Sequence, residues 1–125
     1  MRRLIASFGF ALRGIRRTLA AEPNMRIHVA AAAAVVPLAA ALGVSRTEWA
    51  VLLSCMALVI GLELVNTAIE HVVNLIEPEK HPLAGAAKDA AAGAVLTAAI
   101  FAALAGVIIL GPPLWAFIQG FIFKG

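Results

Sequence analysis

Residues 90–110 carry no charged side chain, and in residues 27–44 the one polar group is His28. Stretches this long and this apolar match a helix of about 20 residues crossing a hydrocarbon layer of about 30 Å. A third stretch, 49–76, would reach about 42 Å as a continuous helix, so one of its ends has to project into headgroups or water. The chain is 62% hydrophobic and only 14% charged, outside the range of soluble domains. The expected fold class is therefore all-α integral membrane, one membrane domain with helices over 27–44, 49–76 and 82–110.

Two flanking segments complete the expected architecture. Over 1–21, Leu4, Ile5, Phe8, Leu12, Ile15 and Leu19 share one side of a helix, while Arg2, Arg3, Arg13, Arg16 and Arg17 occupy the other. Such a helix rests in the membrane interface, with its arginines towards lipid or nucleotide phosphates. Phe10 lies among the arginines, where it is placed either to stack on an adenine or to pack against another helix. Residues 112–125 follow Gly111-Pro112-Pro113, which is expected to end the third span. They are too short to cross again and are expected to form an outer interfacial tail.

Orientation follows from the basic residues. Of ten Lys and Arg, six precede the first span and two, Lys80 and Lys88, lie in or next to the second connection. The positive-inside rule puts the N-terminus and the 77–89 connection in the cytoplasm and the C-terminus outside. The net charge of +3 then reflects topology and attraction to anionic headgroups, and no nucleic acid is needed as a partner. Cys55 is the sole cysteine, so no intrachain disulfide is possible.

Acids inside the middle stretch carry the functional signal. On a helix, Asn66 lies about 60° and Glu70 about 20° around from Glu63, and Asn74 and Glu77 extend the same stripe. One acid at a bilayer centre costs about 2.5–3.5 kcal/mol, so this stripe requires partners, a metal or a substrate. With Trp49 at the outer interface, Glu63 lies about 21 Å along the helix and Glu70 about 31 Å, one acid submerged and the other at the cytoplasmic boundary. That layout suits chemistry joining a lipid's polar end to a water-soluble reagent. A charge-relaying ion or proton carrier would need polar residues in the outer half as well. A third reading makes the stripe a polar lock between packed helices.

No Walker loop or protein-kinase signature is present. Phosphoryl transfer nevertheless needs only a cation clamp, carboxylates for Mg²⁺ and a group that receives the proton of the attacking hydroxyl. Lys88 and the nearby arginines, Glu22 with Glu70, and Glu63 supply these at one membrane face.

The run Glu63-Leu-Val-Asn66-Thr-Ala-Ile-Glu70, followed by Ala87-Lys88-Asp89 and preceded by Glu22 and Arg26, resembles the signature of the prokaryotic diacylglycerol kinase family over about residues 7–110. The resemblance implies a membrane-embedded lipid kinase using MgATP, built as a homotrimer with active sites shared between chains. It implies Glu63 as catalytic base, Glu22 and Glu70 as metal and nucleotide ligands, and Phe10, Arg13, Lys80, His81, Lys88 and Asp89 on the nucleotide side. Asn66, Arg3 and Arg26 would support the lipid site. Ser7-Phe8 with Ala11 and Gly14, Glu22-Pro-Asn-Met-Arg-Ile-His28 and Lys88-Asp-Ala-Ala-Ala-Gly93 are similar to the undecaprenol kinase branch, with diacylglycerol as the other candidate lipid. Asn74 stands where the family usually has Asp, which weakens a metal role there, and Ala92 replaces a serine of the diacylglycerol branch.

Overall fold

Pro23 dictates the first break in the chain. A proline pushes the residue before it out of the helical region, and Glu22 adopts φ −97°, ψ 119°, the one extended residue between two helices. In the computed structural model, which describes residues 1–79 and 81–122 without the side chain of Arg2, the elements are α1 (Arg2–Ala21), α2 (Pro23–Leu42), α3 (Arg46–Ile76) and α4 (Pro82–Ile122). Among the described residues there are no strands. Three helices, α2, α3 and α4, are long and apolar enough to cross a membrane.

Local chemistry sets each boundary. At the end of α2, Gly43 takes the left-handed φ of 68°, which costs glycine little, and its N–H turns back to the carbonyls of Ala39 and Ala40. Two residues later Ser45 caps α3 through a reciprocal pair: its Oγ accepts from the Glu48 N–H at 3.3 Å while its own N–H donates to Glu48 Oε2 at 2.7 Å. The turn between α2 and α3 therefore occupies 43–45, and α3 begins at Arg46 rather than at Trp49. Pro82 opens α4, as its fixed φ favours, and the His81 ring caps that helix by accepting the Leu83 N–H on Nδ1 at 3.2 Å.

Two further boundaries differ from the sequence expectation. The first span begins at Pro23, not residue 27, because Asn24 and Arg26 continue the helix despite their polarity. The third does not stop at Gly111-Pro112-Pro113, since α4 continues through both prolines to Ile122. Each proline lacks a backbone donor, so α4 runs through Pro112 and Pro113 with two fewer intrahelical hydrogen bonds but without interruption. The segment 112–122 is therefore helical, and Lys124 lies outside the described residues.

α3 packs most extensively against α4, with α2 against both and α1 against α2 and α3. At the end of the bundle near the α2–α3 turn, Ala39, Leu52 and Leu110 form a small apolar core bordered by Leu38, Leu42, Trp49 and Met56. Elsewhere large apolar side chains such as Leu58, Val65, Phe101, Val107 and Ile108 face outward, as lipid-facing surfaces do. Hydroxyls inside the helices are satisfied locally, with Ser54, Thr67 and Thr97 each donating to the carbonyl one turn back.

Candidate functional site

Glu63 is 2% exposed, and with Met25 it is one of the two largest fully buried side chains among the described residues. Asn66 and Thr67 are buried beside it. The stripe read from spacing is thus turned inward, towards α2 and α4. A cleft of about 210 Å³ opens over it, lined by Asn24 and His28 of α2, Glu63 and Asn66 of α3, and Ala92, Val95, Leu96 and Ala99 of α4. Glu22 at the α1–α2 elbow, His28 and Glu70 lie near enough to Glu63 to act on it electrostatically, which puts the elbow close to the cleft.

One turn towards the 77–81 connection, Asn66 Nδ2 donates to Glu70 Oε1 at 3.1 Å. That bond fixes the amide, and its other end, Asn66 Oδ1, is buried with no hydrogen-bond partner. A buried acceptor left unpaired costs about 1–3 kcal/mol, so its retention marks a place for a donor or a cation from outside the chain. Among the described residues no three His, Cys, Asp or Glu side chains gather into a metal cage. Mg²⁺ does not require one: it keeps several waters and is commonly held by one or two carboxylates together with substrate phosphates. Glu70, Glu22 and the free Asn66 oxygen fit that pattern of hard oxygen donors.

Further along the same helix face, Asn74 Oδ1 accepts from Lys88 Nζ at 2.7 Å. The two residues line a second concavity of about 470 Å³ with Glu77, Glu79, His81 and Gly85. The two clefts are successive openings of a single seam between α3 and α4. Along α4 the seam is made by Gly85, Lys88, Ala92, Val95 and Ala99 at spacings of three and four, so Lys88 sits one turn from the wall of the Glu63 cleft.

The structure gathers Glu22, Glu63, Asn66 and Glu70 at one end of the seam and His81 and Lys88 at the other. Asp89, Arg26 and Arg3 are exposed, and Lys80 lies outside the described residues. Phe10 is exposed and covered by its own neighbour, with the Arg13 guanidinium 4.6 Å from the ring centroid. This cation–π pair joins two residues assigned to the nucleotide side, but within one chain neither lines the Glu63 cleft. α1 instead lies along the Leu64, Thr67, Ala68 and His71 side of α3, about a quarter-turn away from the acidic stripe. Asn24 and His28 were not legible as site residues from α3 alone; the signal was their spacing of four, which puts both on one face of α2.

Comparison with known proteins adds to this geometry. The family described as Prokaryotic diacylglycerol kinase matches residues 9–110. The chain belongs to that family. The undecaprenol kinase of Bacillus subtilis is 44% identical over 114 residues, covering 91% of this chain and 93% of the relative. A diacylglycerol kinase of Synechocystis is 45% identical over 89% of this chain and 64% of its own length. The diacylglycerol kinase of Escherichia coli K12 is 36% identical over 86% and 88% of the two chains. Family members are lipid kinases, and the matched segment contains every residue of the seam.

Proposed function

We propose that this protein is an ATP-dependent lipid kinase of the cell membrane that phosphorylates the hydroxyl of undecaprenol at the cytoplasmic interface. The observation that carries the reading is Glu63, a carboxylate buried in a cleft between three apolar helices, with an unpaired amide oxygen on one side and a lysine-bearing concavity beyond.

In the proposed reaction the lipid hydroxyl enters the Glu63 cleft and its proton passes to the Glu63 carboxylate as the oxygen attacks the γ-phosphorus of ATP. The bond between that phosphorus and the bridging β–γ oxygen breaks, and ADP leaves. Lys88 is held by Asn74 where it can neutralise phosphate oxygens. Glu70, oriented by Asn66, and Glu22 would hold Mg²⁺, which when bound offsets the charge on the phosphate chain. The protein's own contribution is largely positioning: the cleft excludes water and the helix seam aligns the lipid end with the nucleotide end.

The homotrimer with shared sites belongs to this proposal. Arg3, Phe10 and Arg13 sit away from Glu63 of their own chain, so if they contact nucleotide they do so at a neighbour's site. The orientation, with N-terminus cytoplasmic and C-terminus external, rests on the basic residues. Diacylglycerol is the second candidate lipid, since relatives bearing each name share similar identity with this chain. Ala92, in the cleft wall, is the position that supports the polyprenol branch. A charge-relaying carrier is disfavoured because beyond His28 the seam is lined by Ala, Val, Leu, Ile, Met and Gly together with Cys55, and none of these can carry charge through a span.

Purified protein in detergent with radiolabelled ATP and undecaprenol, diacylglycerol or no lipid separates these readings. The expected result is labelled polyprenyl phosphate at a rate well above that for diacylglycerol. Preference for diacylglycerol would reassign the lipid, and no lipid-dependent transfer would remove the kinase reading.

A further inference from the structure

α4 is longer than a bilayer needs. Residues 90–122 contain no charged side chain and form one continuous helix of about 50 Å, against a hydrocarbon layer of about 30 Å. The surplus lies past the α2–α3 turn. Leu110 packs with Ala39 and Leu52, and Gly43 ends α2 four residues after Ala39, so the turn lies only about 6 Å beyond that level. On a straight axis Ile122 lies about 18 Å beyond it. The last turns of α4 therefore pass the polar Ser45-Arg46-Thr47-Glu48 segment while Phe117, Ile118, Phe121 and Ile122 are all exposed. We infer that residues 114–122 form a second interfacial helix, seated at the boundary of headgroups and acyl chains in the leaflet on the α2–α3 side and held there by apolar side chains alone.

Continuity names lipid as the occupant. Phe101, Ile108, Trp115 and Ile122 recur at a spacing of seven and are all exposed, so the lipid-facing ridge of α4 runs without a break into its last turns. What covers the first two covers the last two. The shape of the apolar surface agrees: Phe117, Phe121, Leu114, Ile118, Ile122 and Trp115 span an arc of about 160°, with Ala116, Gln119 and Gly120 opposite. That arc is wider than the seam of a helix pair and matches a helix lying in an interface. Membrane helices approach one another through small residues, and here the small residues are on the other side. Depth agrees as well. Trp49 borders the cluster that holds Leu110, and Trp115 follows Leu110 by about 7.5 Å, so both indoles sit at the interfacial level they prefer. The axis is free to turn into the leaflet at Pro112–Pro113, where two hydrogen bonds are missing.

This anchor differs from α1 in chemistry. α1 presents arginines to lipid phosphates, whereas 114–122 has no charge and should be indifferent to the charge of the leaflet. The segment also lies beyond the family match at 9–110, so the inference stands or falls apart from the kinase reading.

A single reporter tests it. The full chain carrying Trp49→Phe, Trp115→Phe and Phe121→Trp is reconstituted in phosphatidylcholine vesicles. Blue-shifted emission is expected, with little quenching by acrylamide and several-fold stronger quenching by lipids brominated near the carbonyl end of the acyl chain than near its methyl end. Emission should be the same in phosphatidylglycerol. Quenching by acrylamide as strong as for free indole puts the tip of α4 in water and overturns the inference. Protection from acrylamide without quenching by either brominated lipid makes the segment a contact between copies, which overturns it equally. Cysteine labelling gives the second arm, in a Cys55→Ser background and in vesicles opened by freeze–thaw. A charged maleimide should react several-fold faster with Ala116→Cys and Gln119→Cys than with Ile118→Cys and Ile122→Cys, and equal rates on the two faces would sink the interfacial placement.

Discussion

The two ends of the bundle solve opposite problems. Near the α2–α3 turn, Ala39, Leu52 and Leu110 close an apolar core, Gly43 and Ser45 satisfy the helix ends, and among the described residues no buried side-chain nitrogen or oxygen there lacks a partner. Towards the 77–81 connection the same three helices bury Glu63, Asn66 and Thr67, leave Asn66 Oδ1 unpaired and stay open as clefts. The difference assigns labour: packing at one end holds the helices at a fixed separation, and the other end uses that separation to keep costly polar groups available to substrate. If this division is right, substitutions at the two ends should affect different measurements.

The largest effect is expected from Glu63→Gln, which keeps size and removes the proton acceptor. It should lower kcat by about 10²–10⁴-fold with KM for MgATP little changed, measured by initial rates in mixed micelles. Next is Leu52→Ala at the packed end, expected to lower unfolding free energy in detergent by roughly 2 kcal/mol while the folded fraction keeps its kcat. Lys88→Met removes the cation held by Asn74 and should raise KM for ATP about tenfold with little loss of stability. The smallest is Ser45→Ala. Loss of the cap should cost about 1 kcal/mol of stability and leave both kinetic constants alone. Activity loss from Ser45→Ala without unfolding, or stability loss from Lys88→Met without a kinetic effect, would break the division.

Much of this was written in residue spacing. The stripe Glu63, Asn66, Glu70 needs only the helical period to be placed on one face, and burial of that face follows from the cost of acids in lipid. The amphipathic α1 was equally legible, because six apolar and five arginine side chains separate cleanly by angle. Boundaries were less so. Hydropathy marks where apolar residues begin and end, but Asn24 and Arg26 are helical and Ser45 to Glu48 is a cap rather than the turn itself, distinctions that depend on backbone hydrogen bonding. The α4 helix continues past Pro112 and Pro113 although the local rule favours a stop. His28 and Asn24 lacked a partner in sequence. Only the packing of α2 over α3 brings them to Glu63.

One residue, Glu22, forms the entire joint between α1 and α2, its backbone extended because Pro23 follows it. The acid proposed to meet the metal thus sits at the joint between the amphipathic helix and the first span, so the lie of α1 fixes where that carboxylate enters the site.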